Sequence, residues 1–357
     1  MKLPLHGSNP QYVYKAFNLP LPEEVLDFSV NLNPFGSPRT LHAQWDRLFS
    51  LVEDYPDPDG TSLRSLIARE VNLPVASVLL GNGGAELISC IAHMLSGKRV
   101  LIVQPTFAEY DKMCRAHGCD VSYIHLTEGV WKLDVSTMID QLEHADALFL
   151  CHPNNPTGVL YSHHELSKLL NACEKYNCLL IIDEAFYDFV PKNITFAHEV
   201  SKSKHLVIIR SLTKMYAIAG LRLGYMLADP KLIKYVQSFQ PEWSVNALAL
   251  EAGQICMRDQ SHVNKAQSYI TTERKRLFRQ LKHLGFTLSN SYVNYYLLRD
   301  PTLNKQDSLI YWLLERRIVP RHTYNFPGLD GRWIRLAIKR QIDNDMLLEA
   351  LRQWKEI

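Results

Sequence analysis

A lysine closes a run of aliphatic residues, Leu206-Val207-Ile208-Ile209-Arg210-Ser211-Leu212-Thr213-Lys214. An amine at the end of a buried strand is poor packing chemistry. It is good chemistry if it condenses with a carbonyl group and later serves as a base. A solvated strand cap would look the same, so the neighbouring motifs decide. A second such run, Leu179-Leu180-Ile181-Ile182, ends in Asp183-Glu184-Ala185-Phe186. A carboxylate directly after four buried aliphatics is costly without a partner; an aspartate capping the next segment would read the same. Gly81-Asn82-Gly83-Gly84-Ala85-Glu86 brings small residues to the start of a helical pattern, where backbone N–H groups can approach an anion. It is neither GxGxxG with a later acidic partner nor a Walker loop, and a tight strand–helix turn would serve equally. Pro153-Asn154-Asn155-Pro156-Thr157-Gly158 fixes a rigid turn from which Asn155 could present its amide. Ser211 and Arg222, the latter in Gly220-Leu221-Arg222-Leu223-Gly224, flank the lysine and could hold a phosphate.

All four motifs fall at strand ends. Short β-rich runs at 77–80, 99–104, 121–125, 147–152, 178–183, 206–211 and 224–228 alternate with helical patterns at 85–95, 109–117 and 162–176. Several runs are apolar throughout, which predicts burial on both faces and a mostly parallel sheet between helices. Ligands of such sheets collect beyond the carboxyl ends of the strands. After Trp243 the pattern changes. A helical stretch over 246–284 precedes strands at 295–299, 318–321 and 333–338 and helices at 306–316 and 343–355, the content of a smaller α+β domain. The Pro- and Asn-rich first 40 residues read as an arm outside the core. The expected division is therefore an arm over 1–40 that packs with the small domain, a large domain over 41–245 and a small domain over 246–357.

The 357 residues carry 39 Lys and Arg against 37 Asp and Glu, a net charge of +2. Near-neutrality argues against a dedicated nucleic-acid or membrane-surface protein. No apolar run approaches a bilayer span, and the first residues lack the apolar stretch of a secretory signal. Seven scattered cysteines without a CxxC fit free thiols in a reducing cytoplasm. The two C-x4-C pairs, Cys114/Cys119 and Cys173/Cys178, lack further ligands at zinc spacing, so no metal site is expected.

In order and content the motifs resemble the pyridoxal-phosphate aminotransferases of the aspartate-aminotransferase fold, and the resemblance covers nearly the whole chain. Within them the chain is similar to the histidinol-phosphate aminotransferase branch. It is closer still to the threonine-phosphate decarboxylases of cobalamin synthesis. The segments that carry this are His6-Gly7-Ser8-Asn9, Asp27-Phe28-Ser29-Val30-Asn31-Leu32-Asn33-Pro34, Phe107-Ala108-Glu109-Tyr110, Trp243-Ser244-Val245-Asn246-Ala247 and Asn325-Phe326-Pro327-Gly328-Leu329-Asp330. The resemblance implies pyridoxal 5'-phosphate as cofactor, joined to Lys214 as a Schiff base. Asp183 would pair with the ring nitrogen, Asn155 would donate to the ring's phenolic oxygen, and Tyr110 would stack on the ring. Gly83, Gly84, Ala85, Ser211 and Arg222 would bind the cofactor phosphate. Tyr55 would reach the phosphate in a neighbouring subunit, implying a homodimer with shared sites.

The same resemblance assigns a phosphorylated amino acid to His6, Asn33, Arg321 and Arg335, with Arg335 on the α-carboxylate. Phe186 stands where aminotransferases of this group often have Tyr, which removes one donor and favours decarboxylation of L-threonine O-3-phosphate to aminopropanol phosphate. A histidinol-phosphate aminotransferase, or a decarboxylase acting on O-phosphoserine, would use the same residues. One methyl group separates the last two substrates, worth about 1–3 kcal/mol in a pocket. A non-catalytic regulator that merely binds the cofactor would not need every catalytic position filled, and no DNA-binding segment is attached.

Overall fold

The computed structural model describes residues 3–4, 7–190 and 194–356. Each of the seven β-rich runs forms a strand of one sheet. Their spatial order is Val78–Gly81, Gly224–Leu227, Leu206–Ser211, Leu179–Asp183, Ala147–Cys151, Arg99–Gln104 and Asp120–His125. Gly224–Leu227 runs antiparallel to both of its neighbours, and all other pairings are parallel. Alternate residues feed opposite cores. Leu148, Leu150, Leu180 and Ile182 enter one, while Ala147, Phe149, Ile181 and Val207 enter the other. That is why these strands are apolar at every position rather than at every second one.

Helices Gly84–Met94, Glu109–Ala116 and His163–Lys175 connect the strands. The last begins with a capping box, in which Ser162 and Glu165 satisfy each other's backbone N–H groups. Glu109–Ala116 and His163–Lys175 end alike. Gly118 and Asn177 take positive φ, and the N–H groups of Cys119 and Cys178 return to the carbonyls of Cys114 and Cys173. In this helix ending the two cysteines occupy positions that touch. The C-x4-C spacing is thus an apolar contact closing a helix, and all four thiols are buried and free.

A second sheet, antiparallel, has the order Arg321–His322, Ile334–Ala337, Tyr295–Arg299, Thr287–Leu288. Helices Gln260–His283, Asp307–Glu315 and Gln341–Trp354 accompany it. The expected helix over 246–284 is two helices, Ala247–Met257 and Gln260–His283. Asp259 breaks it by accepting a hydrogen bond from His262 N, an N-cap that starts a new helix. The expected strand over 318–321 is split into Ile318–Val319 and Arg321–His322 at Pro320, which has no N–H to donate.

The first 40 residues pack against the second sheet's half of the chain. Helix Pro10–Ala16 buries Val13 and Tyr14, the Tyr14 hydroxyl donates to Leu314 O at 2.8 Å, and Phe28 is fully buried. Leu26–Asp27 pairs in parallel with Ile318–Val319. Among the described residues, no helix is long and apolar enough to cross a membrane.

Candidate active site

Register brings the chemistry together. Cys151 pairs with Asp183, Asp183 with Ile209 and Ser211 with Gly224, so the ends of four strands form one ledge. A cavity of about 270 Å³ opens above it. Cys151, Asn155, Asp183, Ala185, Phe186 and Lys214 line it from the first sheet's side, and Arg321 and Arg335 of the second sheet, with Asn325 and Phe326 of the loop between their strands, line it as well. Gly7, Ser8 and residues 29–31 cover it, with Phe107 and Ala108 at its flank.

Lys214 sits in the single-turn helix Leu212–Met215 that follows its strand. Burial, with the nearby positive charges of Arg222 and Arg335, brings its amine down to about 8, and Asp183 pulls the other way. Such an amine is largely within reach of its neutral, nucleophilic form near neutral pH. Asp183 accepts from the Tyr110 hydroxyl at 2.5 Å and from Ala185 N at 2.9 Å. Burial pushes its carboxyl upward, while those two donors and the Lys214 charge hold it down.

Beside the lysine lies an anion cradle. Gly83, with φ +77°, precedes the helix Gly84–Met94, and a Cβ there would stand 2.5 Å from a guanidinium nitrogen of Arg222. A Cβ on Gly224 would meet the Gly84 nitrogen at 2.8 Å. The Ser211 and Thr213 hydroxyls are 2.7 Å apart. Helix N–H groups, two hydroxyls and a guanidinium converge where side chains on the glycines would fill the space, a donor set suited to a phosphate. An amine for an aldehyde, a carboxylate for a ring nitrogen and a phosphate cradle together fit pyridoxal 5'-phosphate.

Arg321 and Arg335 are direct cross-strand partners. Both are buried, with exposures of 3% and 6%. Arg335 donates to Asn155 Oδ1 at 2.5 Å and to Ser29 O at 2.8 Å, its Nε has no partner among the described residues, and the charge of Asp27 acts on it. Burial lowers Arg335 to about 10; burial and the Arg335 charge lower Arg321 to about 9. Two like charges opposite each other on a sheet are unfavourable on their own. Arg321 donates to Asn325 Oδ1 at 2.6 Å and its Nη1 lies 2.7 Å from His322 Nε2. Asn155, its oxygen engaged by Arg335, keeps its amide N–H groups for an acceptor in the cavity.

Two expected roles need correction. Tyr110 cannot stack on a ligand ring: it is fully buried, its ring stacks on Phe149 at 5.2 Å, and its hydroxyl is committed to Asp183. Phe107, three residues earlier on the loop before the helix, is the half-buried aromatic at the cavity. Asn33 does not line the cavity. Its amide donates to Met215 O at 2.8 Å and its oxygen accepts from Phe35 N at 3.0 Å, so it clamps the backbone beside Lys214. Asn31, two residues earlier, lines the cavity instead. Tyr55 lies outside its own cavity, 83% exposed, with its ring 5.0 Å from that of Trp243. His6 lies outside the described residues. Sequence reasoning missed Cys151, Thr213, Asn31 and Asn325. For Thr213 the signal was a second hydroxyl immediately before the lysine; a cysteine ending an apolar strand gave none.

The class I and II aminotransferase family model matches residues 23–352, and the chain belongs to that family, whose members use pyridoxal 5'-phosphate. It is 36% identical over 351 residues to the threonine-phosphate decarboxylase of Salmonella typhimurium, covering 97% of this chain and 95% of that one. The crystal structure of histidinol-phosphate aminotransferase from Clostridium acetobutylicum superposes with a TM-score of 0.89 at 30% identity, over 93% of this chain and 99% of the other. That of L-threonine-O-3-phosphate decarboxylase from Porphyromonas gingivalis gives 0.83 at 27%, over 93% and 100%.

Proposed function

We propose that the protein decarboxylates L-threonine O-3-phosphate to (R)-1-amino-2-propanol O-phosphate with pyridoxal 5'-phosphate, in cobalamin synthesis in the cytoplasm. The observation that carries this is the buried pair Arg321 and Arg335 in the same cavity as Lys214 and Asp183. One end of the cavity offers an amine and a carboxylate for the cofactor, and the other offers two guanidiniums for a doubly anionic amino acid. The similarity to threonine-phosphate decarboxylases supports the choice of substrate.

The cofactor, when bound, supplies an aldehyde for the substrate amine and a protonated ring that withdraws electrons from the bond broken at Cα. The chain's own residues do the rest. Asp183 holds the ring nitrogen's proton. Gly83, Gly84, Ala85, Ser211, Thr213 and Arg222 would hold the phosphate, and Asn155 would donate to the phenolic oxygen. Arg335 and Arg321 grip the two substrate anions, fixing which Cα bond stands perpendicular to the ring. With the carboxylate bond so placed, the electrons left by departing carbon dioxide would pass to the cofactor, and Lys214 in its ammonium form would deliver the proton that takes the place of the carboxylate at Cα. Phe186, edge-on to Tyr295 with ring centroids 4.8 Å apart, keeps an apolar ring at this wall.

Purified protein supplied with cofactor and L-threonine O-phosphate is expected to release carbon dioxide without any 2-oxo acid. The second reading, a histidinol-phosphate aminotransferase, is favoured by the 0.89 superposition. Transfer of an amino group from histidinol phosphate to 2-oxoglutarate, with no carbon dioxide from phosphothreonine, would establish it instead. We also place the arm, large and small domains at 1–40, 41–245 and 246–357, and infer a homodimer in which Tyr55 serves the partner's cofactor phosphate. Its exposure and its absence from the lining of its own cavity support that role.

A further inference from the structure

Asp183 ends its strand with both carboxylate oxygens engaged by the protein, one by the Ala185 amide and one by the Tyr110 hydroxyl. The amide is backbone, from the same turn. The hydroxyl comes from another element, the helix Glu109–Ala116, and is 73 residues away in the chain. Its ring is held on two sides, stacked on Phe149 and edge-on to Phe107 at 5.8 Å. A fully buried phenol aimed at a buried carboxylate is a built interaction, and it answers why a tyrosine stands where no ligand ring can reach it. The other titratable groups facing Asp183 are the Cys151 thiol on the adjacent strand, which also contacts the Tyr110 hydroxyl, the Tyr295 phenol of the second sheet, the Lys214 amine across the ledge and Glu184 next in the chain. Glu184 turns away to Arg210 and to Phe196 N. Tyr110 is therefore the neutral side-chain donor on this carboxylate.

We infer that Tyr110 is a positioning residue: its hydroxyl fixes the Asp183 carboxylate, ionised and in one orientation, to receive the protonated ring nitrogen of the cofactor. The inference rests on the cofactor reading above and adds to it a residue that touches neither cofactor nor substrate. Each carboxylate oxygen has two lone-pair sites, so the two protein donors leave room for the ring N–H.

The test is a double-mutant cycle on cofactor affinity, read by quenching of protein fluorescence as apoprotein is titrated with pyridoxal 5'-phosphate. Tyr110→Phe, which keeps the ring volume, is expected to weaken binding by roughly 10- to 100-fold, the loss of one hydrogen bond to a charged group. The deficit should grow as pH falls from 8 to 6, because the carboxylate has lost a donor that kept it ionised. In an Asp183→Asn background the same substitution should change affinity by less than about twofold, because no charge remains to be held. Equal losses in both backgrounds would show a packing role and overturn the inference, as would undiminished affinity in Tyr110→Phe. Should Tyr110→Phe not fold, Tyr110→His offers a neutral donor at pH 8. An affinity there within tenfold of the unsubstituted protein is expected, and a larger loss in a folded variant would count against the donor. Failure of the unsubstituted protein to bind the cofactor would instead sink the cofactor reading itself.

Discussion

Lys214 illustrates what burial does to one amine. An unfolded lysine loses its proton near 10.5, whereas this one does so near 8. The folded protein thus disfavours the charged form. The cost is fully present below pH 8 and is relieved as pH rises from 8 towards 10.5. Only the neutral amine attacks an aldehyde. Capture of pyridoxal 5'-phosphate by the apoprotein should accelerate about tenfold per pH unit below 8 and level off above it, as followed by stopped-flow absorbance. A rate independent of pH between 6 and 8 would mean that another group sets the step. Arg335 permits a second prediction. Arg335→Ala removes the grip on one substrate anion and leaves Asn155 without its donor. KM for phosphothreonine should rise by roughly 10- to 100-fold, the loss expected for a charge-assisted contact. An unchanged KM would remove Arg335 from the substrate site.

At the scale of elements, the ledge depends on a contact on the far side of the sheet. Arg210 and Glu184, at 2% and 0% exposure, pair at 2.9 Å, and Thr195, Phe196 N and the Tyr187 ring enclose them. Each is next in sequence to a site residue, Arg210 to Ser211 and Glu184 to Asp183. Removing one partner of a buried pair leaves a charge stranded, at a cost of about 3–5 kcal/mol. Arg210→Ala should therefore lower the unfolding midpoint in denaturant by an amount matching that loss; a midpoint within error of the original would contradict the packing described. The strands and the lysine, aspartate and glycine motifs were legible in the sequence because burial on both faces leaves uninterrupted aliphatic runs, and the charged exceptions stand out at their ends. What was not legible depends on direction rather than type. Phe107 and Tyr110 are both aromatic and a helical turn apart, and only the start of the helix after Ala108 decides which ring meets the cavity. Asn31 and Asn33 have the same chemistry, yet only one of them clamps Met215. The break before Gln260 depended on Asp259 acting as a cap instead of as a surface charge.

For the whole molecule, Trp45, Phe49, Val52, Tyr55 and Trp243 are large apolar or aromatic residues left at 45–83% exposure. Four of the five fall within eleven residues of one another, and the Tyr55 and Trp243 rings touch. A face of this kind suits burial against a second copy of the chain. Light scattering is expected to give twice the mass of one chain. Phe49→Glu with Val52→Glu should halve it and abolish turnover while each chain stays folded. A monomer with full activity would refute shared sites. Mixing Tyr55→Phe with Lys214→Ala chains should restore part of the activity that either lacks alone, because one site of the mixed dimer would then be intact.

The segment from Leu26 to Asn33 touches both halves of this chemistry. It pairs with Ile318–Val319, offers Ser29 O to Arg335 and, through Asn33, holds the backbone at Met215. A protease nick between residues 27 and 33 would therefore silence the enzyme with its amine, acid and both guanidiniums still present. Shortening the amino terminus for convenience in expression should stop well short of that stretch.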